Sequence, residues 1–257
     1  MGNVYLFFCP LNLFYLYTYG AKINFGDDKI SYENAILSPG QPLITWRNAR
    51  LALDEIPSMY LPILEANQRY QFLINSTEEP HNSLSLAVTQ FDDGNGQLKH
   101  DVFEQKGGVF TVLPETKNYQ LDLINLNNHK FEFSAVILAK TKTMSKWNIQ
   151  LNCHTAFRLI KIQTKKCSNK PFVLHIQSKA DVVQRLNFNK NYNHVFITLP
   201  LDQNGQFVLS ADDLTQLVNE LSQLLTNAEL RQLIKQRAHD DITKTIVAQL
   251  KSVSETQ

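Results

Sequence analysis

The feature that most limits the fold of this chain is a succession of short runs between residues 15 and 139 in which apolar and polar side chains alternate. Tyr119, Leu121 and Leu123, for example, alternate with polar residues. Because successive side chains of a strand point to opposite faces, each run can place one apolar row in a core. Turn residues such as those at 93–96 separate the runs, without helical periods between them. The pattern predicts a mainly β chain, folded as an antiparallel β-sandwich or jelly roll.

The last two runs of this half predict a hairpin. Asn127 and Asn128 favour a turn after Tyr119–Leu123, and Phe131–Ile137 resumes the alternation. The other predicted strands of this half include residues 29–37, 42–47, 70–75, 83–88 and 109–113.

The apolar start of the chain, Val4–Tyr19, has to be weighed as a signal peptide or anchor. It has no cationic leader and is interrupted by Pro10. It is also shorter than the roughly 20 apolar residues that span a bilayer. We expect a buried first strand here, and no integral membrane segment in the chain.

Five blocks of the strand-rich half resemble a known family. The blocks are Tyr15–Ile23, Tyr32–Trp46, Tyr60–Leu64, Gln68–Tyr70 and Tyr119–Phe133. Their order is similar to that of the third accessory secretory protein of the accessory Sec system, which exports serine-rich repeat glycoprotein adhesins in Gram-positive bacteria. The resemblance covers residues 15–139, and the long tail that follows departs from the short family pattern.

This resemblance implies a β-sandwich similar to a carbohydrate-binding module. It also implies a cytoplasmic protein in complex with the first and second accessory secretory proteins. That complex interacts with the adhesin substrate and with the accessory motor ATPase, and the resemblance implies recruitment to the membrane through the export machinery. The second protein carries the hydrolase-like fold, so the resemblance implies a non-catalytic role without a cofactor for the present chain.

The composition is that of an ordinary globular protein, with 43% hydrophobic and 19% charged residues and a net charge of +1. General nucleic-acid binding, which needs a strongly basic domain, is therefore not expected. The cysteines Cys9, Cys153 and Cys167 match neither a disulfide framework nor a zinc motif, and we expect reduced thiols.

Charge is patterned in one stretch. Phe133–Ala180 contains no acidic residue but nine lysines or arginines. One interpretation is a docking surface for an acidic partner, with Lys161, Lys165 and Lys166 as contacts, because opposite charge accelerates encounter. The other is a solvated face that has no partner.

The sequence divides into three predicted domains. These are the sandwich at residues 1–139, a basic connector with further strands at 140–209, and a helical tail at 210–257. Arg158–Gln163, Phe172–Gln177 and Val195–Leu199 are the predicted strands of the connector, which we expect to form a small α/β or extended-sheet module.

Two capping boxes predict where the helices of the tail begin. Ser210 with Asp213, and Thr226 with Glu229, have the required spacing. Apolar residues recur at three and four positions through 214–225, which indicates one buried stripe. The stripe can pack on the chain's own sheet or belong to a helical hairpin that docks on a partner.

No catalytic, nucleotide or metal motif is present in the sequence. Residues 93–104 approach the spacing of a calcium loop, but Leu98 occupies the position that requires glycine. A polar hairpin turn explains this segment better, and we predict no metal site.

Trp46, Tyr60 and Tyr119 are candidate sugar-stacking residues, because an aromatic face packs on the apolar face of a pyranose. The alternative is that they fill the core, which is the commoner use of aromatic residues in sandwiches.

The favoured hypothesis is a non-catalytic assembly and binding component of the accessory secretory complex. The alternative is a carbohydrate-active enzyme or a secreted sugar-binding module, and a free-standing lectin is a third reading.

Overall fold

A computed structural model describes residues 2–9, 16–26, 29–47, 61–81, 83–126, 130–166 and 170–226, with helical residues at 229, 244–246 and 248. The first strands are β1 (Gly2–Phe8), β2 (Lys22–Gly26), β3 (Lys29–Glu33), β4 (Pro42–Arg47), β5 (Arg69–Glu79), β6 (Leu84–Phe91), β7 (Gln97–Val102), β8 (Gly107–Thr111), β9 (Asn118–Asn125) and β10 (Lys130–Lys140). There follow α1 (Thr141–Met144), β11 (Trp147–Cys153), β12 (Arg158–Thr164), β13 (Phe172–Ser178), β14 (Val183–Phe188), β15 (Asn193–Leu199) and α2 (Ala211–Leu224).

The chain forms two compact units. The sandwich unit contains residues 3–144 and 181–186, and the second unit contains residues 1–2, 145–180 and 187–257. These units differ from the predicted division at 139 and 209, since the connector and the tail share one unit. The reason is that α2 packs against the strands that precede it.

The larger sheet of the sandwich unit is organised around β10. Its strand order is β14-β1-β10-β3-β2, and β5 pairs with both β10 and β8. β10 pairs with β5 along its length, while its other edge pairs first with β3 and then with β1. β1 is a largely buried strand, as predicted for the start of the chain. No helix of the described residues is long and apolar enough to cross a membrane.

The smaller sheet has the order β4-β9-β6-β7 and is antiparallel throughout. This order corrects the predicted hairpin, because β9 pairs with β4 and β6 whereas β10 lies in the larger sheet. Alternation had located both strands, but it shows only which face is apolar and not which strand is the neighbour. The two predicted turn asparagines lie outside the described residues.

The core of the sandwich lies between these two sheets. Phe72, Phe131 and Phe133 contribute from the larger sheet, and Trp46 and Leu121 from the smaller one. The strands that carry these residues each supply an apolar row, which is the arrangement that the alternating sequence predicts. The mainly β, antiparallel fold class is confirmed.

One strand of the sandwich comes from the downstream half of the chain. β14 pairs with β1 at the border of the larger sheet, and Phe8 N donates to Val182 O at 2.8 Å. Neither the family resemblance nor the predicted boundary at 139 indicated this return.

The second unit contains a four-stranded sheet in the order β11-β12-β15-β13. The predicted connector strands correspond to β12, β13 and β15, whereas β11 was not predicted. β13 runs parallel to β15, and the other two pairings are antiparallel. This sheet is the strand module that the sequence indicated for the connector.

The helix α2 begins at the predicted capping box. Ser210 Oγ accepts a hydrogen bond from Asp213 N at 3.1 Å. Leu217, Val218 and Leu221 are buried in one cluster with residues of β12 and β15. Of the two alternatives for the apolar stripe, packing on the chain's own sheet is therefore the one observed.

The second capping box also forms. Thr226 N donates to Glu229 Oε2 at 2.9 Å, and Glu229 N donates to Thr226 Oγ1 at 3.3 Å. Most of the helical sequence predicted beyond this point lies outside the described residues.

Candidate functional site

Trp46, the first of the candidate stacking residues, lies in the core. Its side chain is 0% exposed and packs on Phe7 and Phe133, with ring centroids 6.1 and 5.8 Å away. The indole N–H donates to Phe8 O at 2.7 Å. Trp46 is therefore a structural residue. Its ring fills space between the sheets, and its N–H donates to a buried carbonyl.

Tyr119 is likewise buried, at 6% exposure, and its hydroxyl donates to Pro62 O at 2.8 Å. Burial raises the pKa of this phenol well above its ordinary value, so it stays protonated. Tyr60 lies outside the described residues. The predicted platform of Trp46 and Tyr119 is therefore corrected, because neither ring presents a face to a sugar.

The smaller sheet carries a row of polar side chains on the face opposite its core residues. Strand register aligns Arg47, Gln120, Thr89 and His100 across four neighbouring strands. Thr89 Oγ1 and His100 Nδ1 are 2.8 Å apart, and His100 is exposed. Sequence reasoning did not identify this row, because its members are far apart in the chain and only the register joins them.

Asp122 lies beside this polar row and is 5% exposed. Thr45 Oγ1 donates to its Oδ1 at 2.6 Å, and Gln120 Nε2 donates to Oδ1 and Oδ2 at 3.0 and 2.8 Å. Burial raises the pKa of this carboxyl, and the three hydrogen bonds oppose that rise. His100 is exposed and Arg47 and Gln120 are half-buried, so these three side chains can offer hydrogen bonds to a hydroxyl-rich ligand, whereas Thr89 and Asp122 are buried.

Phe91 lies at one end of the same face. It is half-buried, pairs with Asn118 in the register and is not part of the sandwich core. An aromatic ring beside a polar row is the combination that Trp46 and Tyr119 fail to provide.

Lys161, one of the three predicted docking lysines, is buried within the second unit. Its Nζ lies 3.2 Å from Glu229 Oε2, donates to Leu224 O at 3.0 Å and lies 5.2 Å from the centre of the Phe172 ring. It thus closes the C-terminal end of α2 and is not available to a partner.

Lys165 and Lys166, by contrast, are exposed. The nine basic residues of the acid-free stretch therefore do not form a single face. Arg158 is buried and donates to Ala180 O at 2.5 Å, and Lys140 pairs with Glu65.

Residues 92–97 form the predicted polar turn. Asp92 N donates to Gly96 O at 3.0 Å, and Gly96 N donates to Asp92 Oδ1 at 2.7 Å. Asn95 adopts φ 63°, as a tight turn between β6 and β7 requires. Among the described residues, no group of three or more His, Cys, Asp or Glu side chains is placed to hold a metal ion.

Cys9 is a poor nucleophile, because burial raises the pKa of its thiol to about 12. Cys167 lies outside the described residues.

Comparison with known proteins connects this fold to a secretion system. Residues 16–140 match the family model described as "Accessory Sec secretory system ASP3". This segment, just under half of the chain, is similar to that family. The matched segment falls within the sandwich unit, and the resemblance drawn from the five sequence blocks is confirmed.

Three individual proteins are also similar to this chain. The accessory Sec system protein ASP3 of Streptococcus gordonii is 26% identical over 120 residues, which cover 46% of this chain and 76% of that protein. A chain from the crystal structure of accessory secretory protein 1, 2 and 3 in Streptococcus pneumoniae aligns with a TM-score of 0.46 and 22% identity. It covers 52% of this chain and 94% of that one. A chain of the glycosylation associate protein (Gap123) complex from Streptococcus agalactiae aligns with a TM-score of 0.49 and 13% identity, over 99% of this chain and 89% of that one.

Proposed function

We propose that this protein is a non-catalytic assembly and binding component of a cytoplasmic accessory secretory complex. In this role it binds the first and second accessory secretory proteins and helps to bring a serine-rich repeat glycoprotein adhesin to export. The observation that carries the proposal is the family match, which spans nearly all of the sandwich from residue 16 to residue 140.

The geometry of the sandwich supports a binding role. Its large aromatic residues are used in the core, as Trp46 and Tyr119 illustrate. The polar row on the smaller sheet can form hydrogen bonds, but its one buried carboxylate is held by Thr45 and Gln120. A general acid or base needs to reach a reacting proton, and this carboxylate is already engaged.

The same proposal includes two further partners, which would interact with the complex as a whole. The accessory motor ATPase and the adhesin substrate would meet the assembled complex, which would be recruited to the membrane through the export machinery. A cofactor has no part in this scheme.

Copurification tests the proposal. The full-length chain carries an affinity tag and is expressed with the first and second accessory secretory proteins, and the three should elute together in a fixed ratio. An unrelated tagged β-sandwich serves as the control bait. Elution of the tagged chain without either of the other two proteins would refute the proposed role.

The full chain is required for this test. Cutting after residue 139 would remove β14, which pairs with β1 in the larger sheet. A loss of binding in such a fragment would therefore report an incomplete sandwich as readily as a lost interface.

A second candidate function is the binding of a hydroxyl-rich ligand such as a glycan. The observation that favours it is the polar row of Arg47, Gln120, Thr89 and His100, with Phe91 at one end. Calorimetric titration with a panel of oligosaccharides would detect binding to the isolated chain.

Replacement of His100 by Ala should weaken any such binding, because His100 is exposed and lies in the row. The matched control is His81→Ala, which changes another exposed histidine in a turn. Equal affinity in the two variants would count against the polar row as a ligand site.

A further inference from the structure

The four-stranded sheet of the second unit gathers lysines from four separate parts of the sequence at one of its ends. β11 begins where β12 ends, because Trp147 pairs with Thr164. β13 and β15 begin at the same end, because Phe172 pairs with Asn193. The residues just outside these strand ends include Lys146, Lys165, Lys166, Lys170 and Lys190, which we call the lysine end.

Specific bonds hold the segments of the lysine end together. Lys165 N donates to Lys146 O at 2.9 Å, which joins the outer ends of β11 and β12. Lys170 Nζ donates to Lys190 O at 2.6 Å and lies 4.8 Å from the centre of the Trp147 ring. The backbone that carries these charges is therefore fixed in place.

Asn193 links the same segments from inside. It is 2% exposed, its Oδ1 accepts from Thr164 N at 3.0 Å, and its Nδ2 donates to Lys170 O at 3.0 Å. A buried amide that makes a hydrogen bond to each of two chain segments holds those segments together.

The lysine end has no acidic neighbour along the chain. The described residues that build it, 144–148, 164–166, 170–172 and 189–193, contain no Asp or Glu. Lys146, Lys165, Lys166 and Lys190 are exposed in the described structure. Glu229 lies on the same unit, but it pairs with the buried Lys161.

We propose that the lysine end is a docking surface for an acidic polypeptide segment of another protein. The concentration of like charge at one end of a fixed sheet, in a chain whose net charge is only +1, creates a local positive field. Such a field attracts and orients an acidic segment and raises its association rate.

The side chains at the lysine end favour this class of partner over nucleic acid. All five cations are lysines, whereas the bidentate geometry that recognises phosphate belongs to arginine. A lysine is a mobile point charge that suits a flexible carboxylate-bearing segment. Among the described residues 189–193, Tyr192 is the one exposed large apolar side chain, at 38% exposure. A single such side chain provides little apolar area for insertion into a membrane.

This surface also revises which lysines a partner would meet. Lys161 is excluded by its burial, and Lys146 and Lys190 join Lys165 and Lys166. The inference deepens the proposed function, since an acidic segment of a complex component is the expected occupant.

Charge reversal tests the lysine end without any sister protein. The probe is a fluorescent peptide of alternating Glu and Ser, and its association with the full-length chain is followed by stopped-flow anisotropy. We expect K146E/K165E/K166E to slow association on the order of ten-fold at about 50 mM salt, and the difference to fade near about 500 mM. The association rate of a neutral variant, K146Q/K165Q/K166Q, should lie between those of the unaltered protein and K146E/K165E/K166E.

The matched control is K22E/K29E/K130E, in the sandwich unit. These lysines are exposed, and Lys22 and Lys130 both pair in register with Glu33, so their local field is mixed. Each triple reversal changes the net charge from +1 to −5, because three exchanges remove two charges each. Equal slowing in both variants would show a response to net charge alone and would overturn the proposal.

Other outcomes separate the inference from the proposed function. If the peptide binds at the lysine end but the sister proteins do not copurify, the docking surface stands and the proposed complex fails. If the complex forms equally with both triple variants and the peptide does not bind, the docking surface fails alone. Stronger binding of single-stranded DNA or of anionic vesicles than of the peptide, lost in K146E/K165E/K166E, would refute the assigned class of partner.

Discussion

Replacing Trp46 is the sharpest test of how the sandwich is held together. Trp46→Ala removes a side chain that is 0% exposed, together with its contacts with Phe7 and Phe133. A change of this size in a core costs about 3–5 kcal/mol of unfolding free energy, because the cavity closes only in part. It also leaves Phe8 O without its donor.

A second variant separates packing from hydrogen bonding. Trp46→Phe retains an aromatic ring between the sheets but lacks the indole N–H that donates to Phe8 O at 2.7 Å. Losing this donor to a buried carbonyl costs about 1–3 kcal/mol. Both variants lose this hydrogen bond, so the difference between them, about 2 kcal/mol, measures the packing of the aromatic ring that phenylalanine retains.

Urea unfolding followed by far-UV circular dichroism measures these changes, and hydrogen exchange of the β10 amides locates them in the sandwich unit. Tyr19→Ala is the control, because Tyr19 is 71% exposed and its loss should change stability by less than about 0.5 kcal/mol. If Trp46→Ala is destabilised by less than about 1 kcal/mol, the ring does not support the core and the reasoning is wrong.

Three other predictions concern a charge, a helix start and a pH dependence. Glu78→Gln should lower the unfolding free energy by about 2 kcal/mol in urea titrations. The reason is that it breaks the 2.6 Å ion pair between a fully buried carboxylate and the partly exposed Lys106. An unchanged unfolding free energy would contradict the importance of this pair. Ser210→Ala should cost about 1 kcal/mol and increase exchange of the first amides of α2, whereas unchanged exchange would contradict its capping role. For the histidine pair, His175 Nε2 and His194 Nδ1 are 2.8 Å apart, and burial, assisted by the charge of His194, lowers the pKa of His175 from 6.5 to about 4. A group with a lowered folded pKa stabilises the protein above its unfolded pKa, so this contribution should be lost as the pH falls from 6.5 towards 4. His175→Phe should flatten the dependence in that window, and an unchanged slope would refute the assignment.

Strand positions could be predicted from the sequence more readily than strand partners. The boundaries of β4 are those expected from Pro42 to Arg47, because turn residues precede the strand and the apolar pattern defines it. The neighbour of β9 could not be derived in this way. Pairing depends on contacts between distant segments, and the alternation of Leu121 and Leu123 is compatible with either sheet.

The candidate site residues show the same limit. A tryptophan at position 46 is equally suited to a stacking surface and to a core, and only the position of the second sheet decides between them. Lys161 and Lys165 are four residues apart in a basic stretch, yet one is buried beside Glu229 and the other is exposed. Burial of a charged residue depends on a partner that lies 68 positions away.

The return of β14 to the larger sheet has a consequence for biosynthesis. On the ribosome, every other strand of the sandwich leaves the exit tunnel at least 40 residues before Val183, since β10 ends at Lys140. During that interval β1 has an open border, and open borders of sheets are sites of unwanted pairing between nascent chains. The maturation of this domain is thus timed by a segment that is translated late, and stop codons placed between 140 and 183 should yield products that depend on chaperones.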